Sequence, residues 1–213
     1  MPEAFVSARA LIEWGVASRA LPGEAQSGDL HLVKQTGTGV LVAVVDGLGH
    51  GAEAATAAQA AVAALERHAT ESPMPLFERC HRALHGTRGV VMSVALFARP
   101  DRSMTWLGVG NVEGLLLRGD GAARSGAARQ SLVTRGGIVG SELPRLHPVV
   151  LPVAPGDTLI FATDGIRDGF AEGLAPEATP QQLADGILAR HGKGTDDALV
   201  LVARYLGGVG PRG

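Results

Sequence analysis

The chain has 213 residues, of which 46% are hydrophobic and 19% are charged, and its formal net charge is −2. This length predicts a single domain with a substantial buried core. The small net charge gives no general attraction to nucleic acid or to an anionic membrane, so we expect neither as a partner. The single cysteine, Cys80, excludes an internal disulfide and makes the cytoplasm the expected location. It falls on the apolar face of a predicted helix and is interpreted as a core residue.

Short apolar runs separated by Gly, Pro and Asp predict mostly antiparallel strands. Residues 4–12 and 14–20 predict a pair of short strands, and residues 30–45 predict a hairpin that reverses at Gly37-Thr38-Gly39. Residues 119–130 are rich in Gly, Ala and Arg without a period, which predicts an exposed loop. The remaining strands are expected at residues 90–97, 104–109, 114–118, 131–135, 149–153, 158–163 and 198–206.

Three segments have the spacing of amphipathic helices. Small apolar residues recur on one face of residues 52–68, which would let this helix lie close to a sheet. A second helix is expected to start at Ser72-Pro73 and to stop at Gly86. A third begins at Thr179-Pro180-Gln181-Gln182, which combines an N-cap with a capping-box glutamine, and ends at Gly192. Together these patterns predict a layered α/β protein whose helices lie on the faces of antiparallel sheets.

Four aspartates are placed at the ends of predicted strands. Asp46 and Asp164 each follow an apolar run and precede a glycine. Asp29 and Asp46 lie about equally far from Thr38 in sequence, so a hairpin folded there brings both carboxylates to one end. Asp197 immediately precedes the last apolar run, so it meets Asp164 if those two strands are antiparallel.

Such a cluster of carboxylates predicts a metal centre. Like charges a few ångströms apart raise one another's pKa, and a divalent cation relieves this repulsion. Carboxylate, carbonyl and water oxygens suit Mg²⁺ or Mn²⁺, while the lack of Cys and His clusters argues against zinc. Gly47 has no Cβ, which allows its own carbonyl to approach a metal. A single Asp-Gly pair more often marks a turn, but four acids at strand ends favour the metal site.

The order of these motifs resembles that of the metal-dependent PPM (type 2C) protein phosphatases, in particular their bacterial SpoIIE-like branch. The resemblance covers nearly the whole chain. It implies an α+β fold with a central antiparallel β-sandwich flanked by helices in α-β-β-α layers. The chain is expected to form one catalytic domain over residues 1–206, with a frayed tail over 207–213. The motifs that carry the resemblance are Ser27-Gly28-Asp29, Val45-Asp46-Gly47-Leu48-Gly49-His50-Gly51, Thr163-Asp164-Gly165 and Thr195-Asp196-Asp197.

The implied activity is hydrolysis of phosphoserine or phosphothreonine in proteins by a water that two Mn²⁺ or Mg²⁺ ions activate. By the same resemblance Asp46 bridges both ions, and Gly47 offers its carbonyl. Asp164 and Asp197 hold one ion, and Asp29 supports the other directly or through water. Within the branch, the chain resembles stand-alone phosphatases that reset the stressosome. This implies that its partners are phosphorylated STAS-domain stressosome proteins of the RsbR and RsbS type. A monomer is expected, although the sequence leaves the oligomeric state open.

Several residues depart from the family pattern. Leu48 stands where eukaryotic members often place a proton-donating histidine, so we expect water to protonate the leaving group. His50 is interpreted as a surface or N-capping residue. Asn111 occupies the place of an acid that completes a third metal site in many relatives, which predicts two tightly bound ions. Arg19 and Arg88 are the candidates for binding the substrate phosphate, although either side chain can instead lie along the edge of a sheet.

Other functions are compatible with parts of this pattern. One is a SpoIIE-like phosphatase that acts on an anti-sigma factor antagonist. Another is a non-catalytic module that binds phosphoproteins, although retention of all four acids argues against it. A third is a phosphatase that uses Asp46 as a covalent nucleophile, as haloacid-dehalogenase-like enzymes do, but Leu48 replaces the second aspartate that those enzymes need.

Overall fold

A computed structural model describes residues 10–119, 129–175 and 177–207. Within these ranges the chain forms ten strands and three helices. The strands are β1 (Ile12–Arg19), β2 (Asp29–Gln35), β3 (Gly39–Gly47), β4 (Val90–Ala98), β5 (Ser103–Val109), β6 (Glu113–Leu117), β7 (Arg129–Leu132), β8 (Val149–Pro152), β9 (Thr158–Ala162) and β10 (Ala198–Tyr205). The helices are α1 (Gly51–Arg67), α2 (Pro73–Ala83) and α3 (Pro180–His191).

The strands form two five-stranded antiparallel sheets. One sheet has the order β1-β10-β9-β6-β7, and the other has the order β2-β3-β4-β5-β8. Both faces of β3 are buried, because alternate residues point to opposite sides of a strand. Val42 and Val44 pack between the sheets against residues such as Phe161, whereas Leu41 and Val45 pack against α1 and α2. With α3 covering the outer face of the first sheet, the layers are α-β-β-α.

Small residues bring the helices close to the sheets. The buried face of α1 consists mainly of alanines, including Ala54 and Ala58. A Cβ on Gly47 would clash with the backbone of Ala54, so β3 and α1 are in contact through their main chains. On the other side, the Gln181 side chain of α3 hydrogen-bonds both the N–H and the carbonyl of Val16, in the outer strand β1.

The predicted fold class, with its antiparallel strands and flanking helices, is confirmed. The hairpin forms as β2 and β3, and α3 begins with the predicted capping box at Thr179. Cys80 is buried in the core, as expected. Among the described residues, none of the helices is long and apolar enough to span a membrane.

Some predicted boundaries are wrong. β1 begins at Ile12, so it covers most of the strand expected at 14–20 but only the last residue of the one expected at 4–12, of which residues 4–9 lie outside the described ranges. The strand expected at 131–135 is β7, Arg129–Leu132, because the chain leaves the sheet at Val133, whose side chain is 81% exposed. The predicted loop therefore ends before residue 129, and its residues 120–128 lie outside the described ranges, as do tail residues 208–213.

Candidate metal centre

Two of the predicted acids are direct neighbours across a strand pair. In the antiparallel ladder of β2 and β3, Asp29 lies opposite Asp46. Opposite residues point to the same face, with Cβ atoms about 4.5–5.5 Å apart. The hairpin register therefore brings both carboxylates to one end of the second sheet, as the sequence predicts.

The first sheet brings acidic residues to the same place. Asp164 follows β9, and the Thr163 hydroxyl beside it donates a hydrogen bond of 2.7 Å to Asp29 Oδ2, which links the two sheets. The Asn111 amide donates to Asp164 Oδ2 at 2.8 Å and orients that carboxylate. The Lys193 ammonium donates to the backbone carbonyl of Asp164.

A cavity of about 170 Å³ opens between these groups. Its described lining includes four aspartates and one histidine, His50, but no lysine or arginine. The acidic cavity, as we call it, is lined by Asp29, Asp46, Leu48, Gly49, His50, Val91, Asn111, Asp164 and Asp196. Carboxylates concentrated in this way without a lysine or arginine need a counter-charge to stay ionised together.

The pKa values of the two paired acids show this need. Burial raises the pKa of Asp46 to about 9, and the negative charges of Asp29 and Asp164 add to the effect. Burial also raises the pKa of Asp29 to about 7, although the Thr163 hydrogen bond acts in the opposite direction. Both carboxylates are therefore costly to ionise without a cation, and a divalent cation reverses the balance in favour of the charged forms.

Asp197 does not line the acidic cavity. Its side chain is buried, and its two oxygens accept hydrogen bonds of 2.7 Å from the backbone N–H groups of Leu21 and Gly28. The neighbouring residue Asp196 lines the cavity instead. The Asp197 carboxylate thus holds the segment between β1 and β2, and its role as a metal ligand stays a prediction.

Close packing of main chains explains the glycines beside the aspartates. Gly47 has no room for a Cβ because α1 lies against it, and Gly165 lies against the backbone of Asp197. At Gly28 a Cβ would come 2.9 Å from the Cβ of Ala54. The Asp-Gly pairs thus mark places where main chains of different elements touch, and this contact alone explains why position 47 lacks a side chain.

Neither candidate arginine lines the acidic cavity. The Arg88 guanidinium lies over the loop residue Gly49 and forms an exposed ion pair with Glu53. The Arg19 guanidinium packs beside Gly192, just after α3. Arg88 is thus next to a residue that lines the cavity, whereas the observed contact of Arg19 is with the end of the helix.

The donor set fits hard divalent cations. In the described parts of the chain, no three His, Cys, Asp or Glu side chains are placed to hold one ion by themselves. Each ion would therefore be completed by backbone carbonyl and water oxygens, which Mg²⁺ accepts because it retains much of its hydration shell. The oxygen ligands of the acidic cavity meet this requirement, and they do not suit zinc.

The α-β-β-α sandwich matches the fold of solved PPM-type phosphatases. One such structure, the serine/threonine phosphatase PstP/Ppp of Mycobacterium tuberculosis, has a TM-score of 0.66 at 20% identity and covers 92% of this chain and 99% of its own. The sequence matches the family Stage II sporulation protein E (SpoIIE) over residues 36–206. The chain therefore belongs to the SpoIIE family, and the resemblance found in its motifs is confirmed.

The chain is also similar to one individual protein, RsbX, in both sequence and structure. The phosphoserine phosphatase RsbX of Bacillus subtilis (strain 168) is 32% identical over 94 residues, which are 44% of this chain and 47% of RsbX. The match thus spans about half the length of this curated relative. A crystal structure of RsbX in complex with magnesium has a TM-score of 0.79 at 22% identity and covers 91% of this chain and 95% of its own. This likeness shows the fold.

A further structure connects the fold with the stressosome. It comes from work that describes the bacterial stressosome as a modular system that has been adapted to control secondary messenger signalling. It has a TM-score of 0.80 at 32% identity, and the match covers 91% of this chain and 99% of that one.

Proposed function

We propose that this protein is a metal-dependent protein serine/threonine phosphatase, with one catalytic domain over residues 1–206. The observation that carries the proposal is the meeting of Asp29 and Asp46 from one sheet with Asp164 and Asp196 from the other in one cavity. Membership of the SpoIIE family and the match to a phosphoserine phosphatase support the same activity.

The acidic cavity is proposed to hold two Mg²⁺ or Mn²⁺ ions. Asp46, whose carboxylate interacts with the charges of Asp29 and Asp164, would help to hold both ions, together with the Gly47 carbonyl and Asp29. Asp164 and Asp196 would complete the ligand set, with Asp196 in the place that the sequence prediction gave to Asp197. When bound, the ions supply a water of lowered pKa and neutralise charge on the phosphoryl oxygens.

The chain's own residues position these ligands. Asn111 donates to one oxygen of Asp164 and leaves the other oxygen for a ligand. Thr163 holds Asp29 in the same way. Arg88, which lies over Gly49, is the nearer of the two predicted phosphate-binding arginines to the cavity lining, and we retain it as the candidate. Catalysis at such a site depends mainly on positioning and electrostatic stabilisation.

We further propose that the substrates are phosphorylated STAS-domain proteins of a stressosome, acted on in the cytoplasm by a monomer. The likeness to RsbX and to a structure from work on the stressosome supports this choice. The alternative substrate is a phosphorylated anti-sigma factor antagonist.

The test is release of inorganic phosphate from purified phosphoproteins of both kinds, with Mn²⁺, with Mg²⁺ and with a chelator. We expect metal-dependent release by the wild type and a loss of about 100-fold or more in Asp46→Asn, because the variant lacks the central carboxylate. Asp101→Asn is the matched control, since Asp101 is exposed in the turn between β4 and β5, at the other end of these strands.

Two results contradict the proposal. A wild type that binds Mn²⁺ but releases no phosphate from either class of phosphoprotein would indicate a binding module. Equal rates for Asp46→Asn and wild type would show that the acidic cavity is not the site of the reaction.

A further inference from the structure

His50 occupies the N-cap position of α1, with an extended backbone. It precedes the first residue of α1, but its side chain makes no capping hydrogen bond. His50 is among the residues that line the acidic cavity, its side chain is 59% exposed, and its Nδ1 lies 2.7 Å from Glu24 Oε1. A carboxylate accepts hydrogen bonds only, so Nδ1 carries a hydrogen and donates it to Glu24.

Glu24 is held in place for this contact. The Glu24 N–H donates to the Leu21 carbonyl at 2.9 Å, and the Leu21 N–H donates to the buried Asp197 at 2.7 Å. The carboxylate packs on Gly51, where a Cβ would lie 2.9 Å from Glu24 Oε2 and where φ is +76°. Glu24 thus rests on a turn anchored in the core and on the first residue of α1.

This contact fixes which ring nitrogen is available to a ligand. Because Nδ1 is bonded to Glu24, Nε2 is the nitrogen left for a group bound in the acidic cavity. The charged groups around the ring are Glu24 on the β1–β2 segment and the cavity carboxylates on both sheets. The exposed Arg88–Glu53 pair adjoins the same loop at Gly49.

We propose that His50 donates the proton to the leaving oxygen of the phosphorylated residue, and that Glu24 is the positioning residue that holds the ring for this transfer. The inference rests on the proposed phosphatase function. A water oxygen forms the new P–O bond while the bond between phosphorus and the serine Oγ breaks. The electron pair of that bond stays on Oγ, which takes the proton from Nε2 of the imidazolium form of His50, the form that carries a hydrogen on both ring nitrogens.

Two further protons are exchanged with solvent. The attacking water releases one proton to solvent, and the neutral imidazole takes one proton back from solvent. The products are the free serine hydroxyl and inorganic phosphate. Throughout the transfer Nδ1 keeps its hydrogen and its bond to Glu24, so the ring is not free to rotate between protonation states. A positioned acid of this kind typically contributes about 100-fold or more to a rate.

The test compares leaving groups. An alkoxide leaves poorly without a proton, whereas p-nitrophenolate leaves readily, so only the first reaction needs His50. For His50→Gln we expect kcat on a phosphoserine protein to fall about 100-fold, with a change of less than about threefold on p-nitrophenyl phosphate. His68→Gln and Glu71→Gln are matched controls, because this pair forms a similar Nδ1 contact of 3.4 Å at the other end of α1.

Separate measurements test the positioning role of Glu24. Glu24→Gln should lower the phosphoserine rate, shift the alkaline limb of its pH profile and leave the p-nitrophenyl phosphate rate nearly unchanged, while Glu24→Asp recovers part of the activity. Independently of catalysis, ¹⁵N NMR of the metal-free protein should show the neutral ring of His50 protonated on Nδ1, and Glu24→Gln should change that tautomer.

Different results would contradict different parts of the proposal. Equal losses on both substrates, or no loss on either, would overturn the role of His50, and a neutral ring protonated on Nε2 would overturn the role of Glu24. A wild type inactive on both substrates would instead overturn the proposed phosphatase function.

Discussion

Asp196 and Asp197 have the same side chain and adjacent positions, yet they serve different parts of the molecule. Asp197 accepts two backbone hydrogen bonds in the interior, and Asp196 lines the acidic cavity while its Oδ1 accepts from the N–H of Asp197. A buried acceptor with two donors supports folding, whereas a carboxylate at the cavity is available to a cation.

Replacing each with asparagine should separate these roles. Asp197→Asn places an NH₂ group against a backbone donor, so we expect the free energy of unfolding to fall by about 1–3 kcal/mol. Asp196→Asn keeps an acceptor for the Asp197 N–H, so stability should be retained while Mn²⁺ affinity and phosphatase activity fall. Urea unfolding of the metal-free proteins and calorimetric titration with Mn²⁺ measure the two effects. The opposite pattern, in which Asp197→Asn alone loses the metal, would return the ligand role to Asp197.

The difference between these two residues could not be predicted from sequence. The pairing of Asp29 with Asp46 is local, since it follows from the position of one turn. The donors to Asp197 are 169 and 176 residues away in sequence, so nothing near it distinguishes it from Asp196. The contact of His50 with Glu24 could not be predicted from sequence either, because it depends on how the segment between β1 and β2 folds back onto the start of α1.

At the scale of elements, the acidic cavity depends on how closely α1 approaches β3. The helix presents alanines to the sheet, and at Gly47 only a hydrogen fits between the two main chains. The periodicity of small residues in 52–68 predicted this close packing. It did not predict which glycine the contact requires, because that follows from the crossing of the helix and the strand.

Adding one methyl group at this contact should therefore be costly. Gly47→Ala forces α1 away from β3, and we expect a loss of about 1–3 kcal/mol in the free energy of unfolding, the usual cost of overpacking. Gly37→Ala is the control, because no atom lies within 4 Å of the Cβ that would be added in that turn. Urea denaturation of the two variants compares them directly. Equal stability of Gly47→Ala and wild type would show that the helix and strand are not in this contact in solution.

At the scale of the whole molecule, the two sheets place a destabilising charge at their shared edge. Carboxyls whose native pKa is raised bind more protons in the folded state than in the unfolded state, so stability falls as pH rises through that interval. The interval runs from the ordinary value of 3.8 to about 7 for Asp29 and to about 9 for Asp46.

In a chelator, the melting temperature of the metal-free protein should therefore decrease between pH 5 and pH 9. One pKa unit corresponds to about 1.4 kcal/mol, and 1 kcal/mol moves the melting temperature of a protein of this size by roughly 2–4 °C. Asp46→Asn should flatten the curve, and added Mg²⁺ should stabilise the wild type more at high pH because it competes with protons. A wild type whose melting temperature rises towards pH 9 without metal would contradict the arrangement of these acids.

The Gln181 clamp on β1 has a consequence for how this protein behaves among other proteins. An outermost strand with free main-chain groups is a template on which a foreign strand can assemble. Here a side-chain amide from α3 occupies the N–H and the carbonyl of Val16, as an adjoining strand would. The Val16 N–H and carbonyl are thereby taken up within the molecule, so a foreign strand that paired with β1 would have to displace Gln181 there.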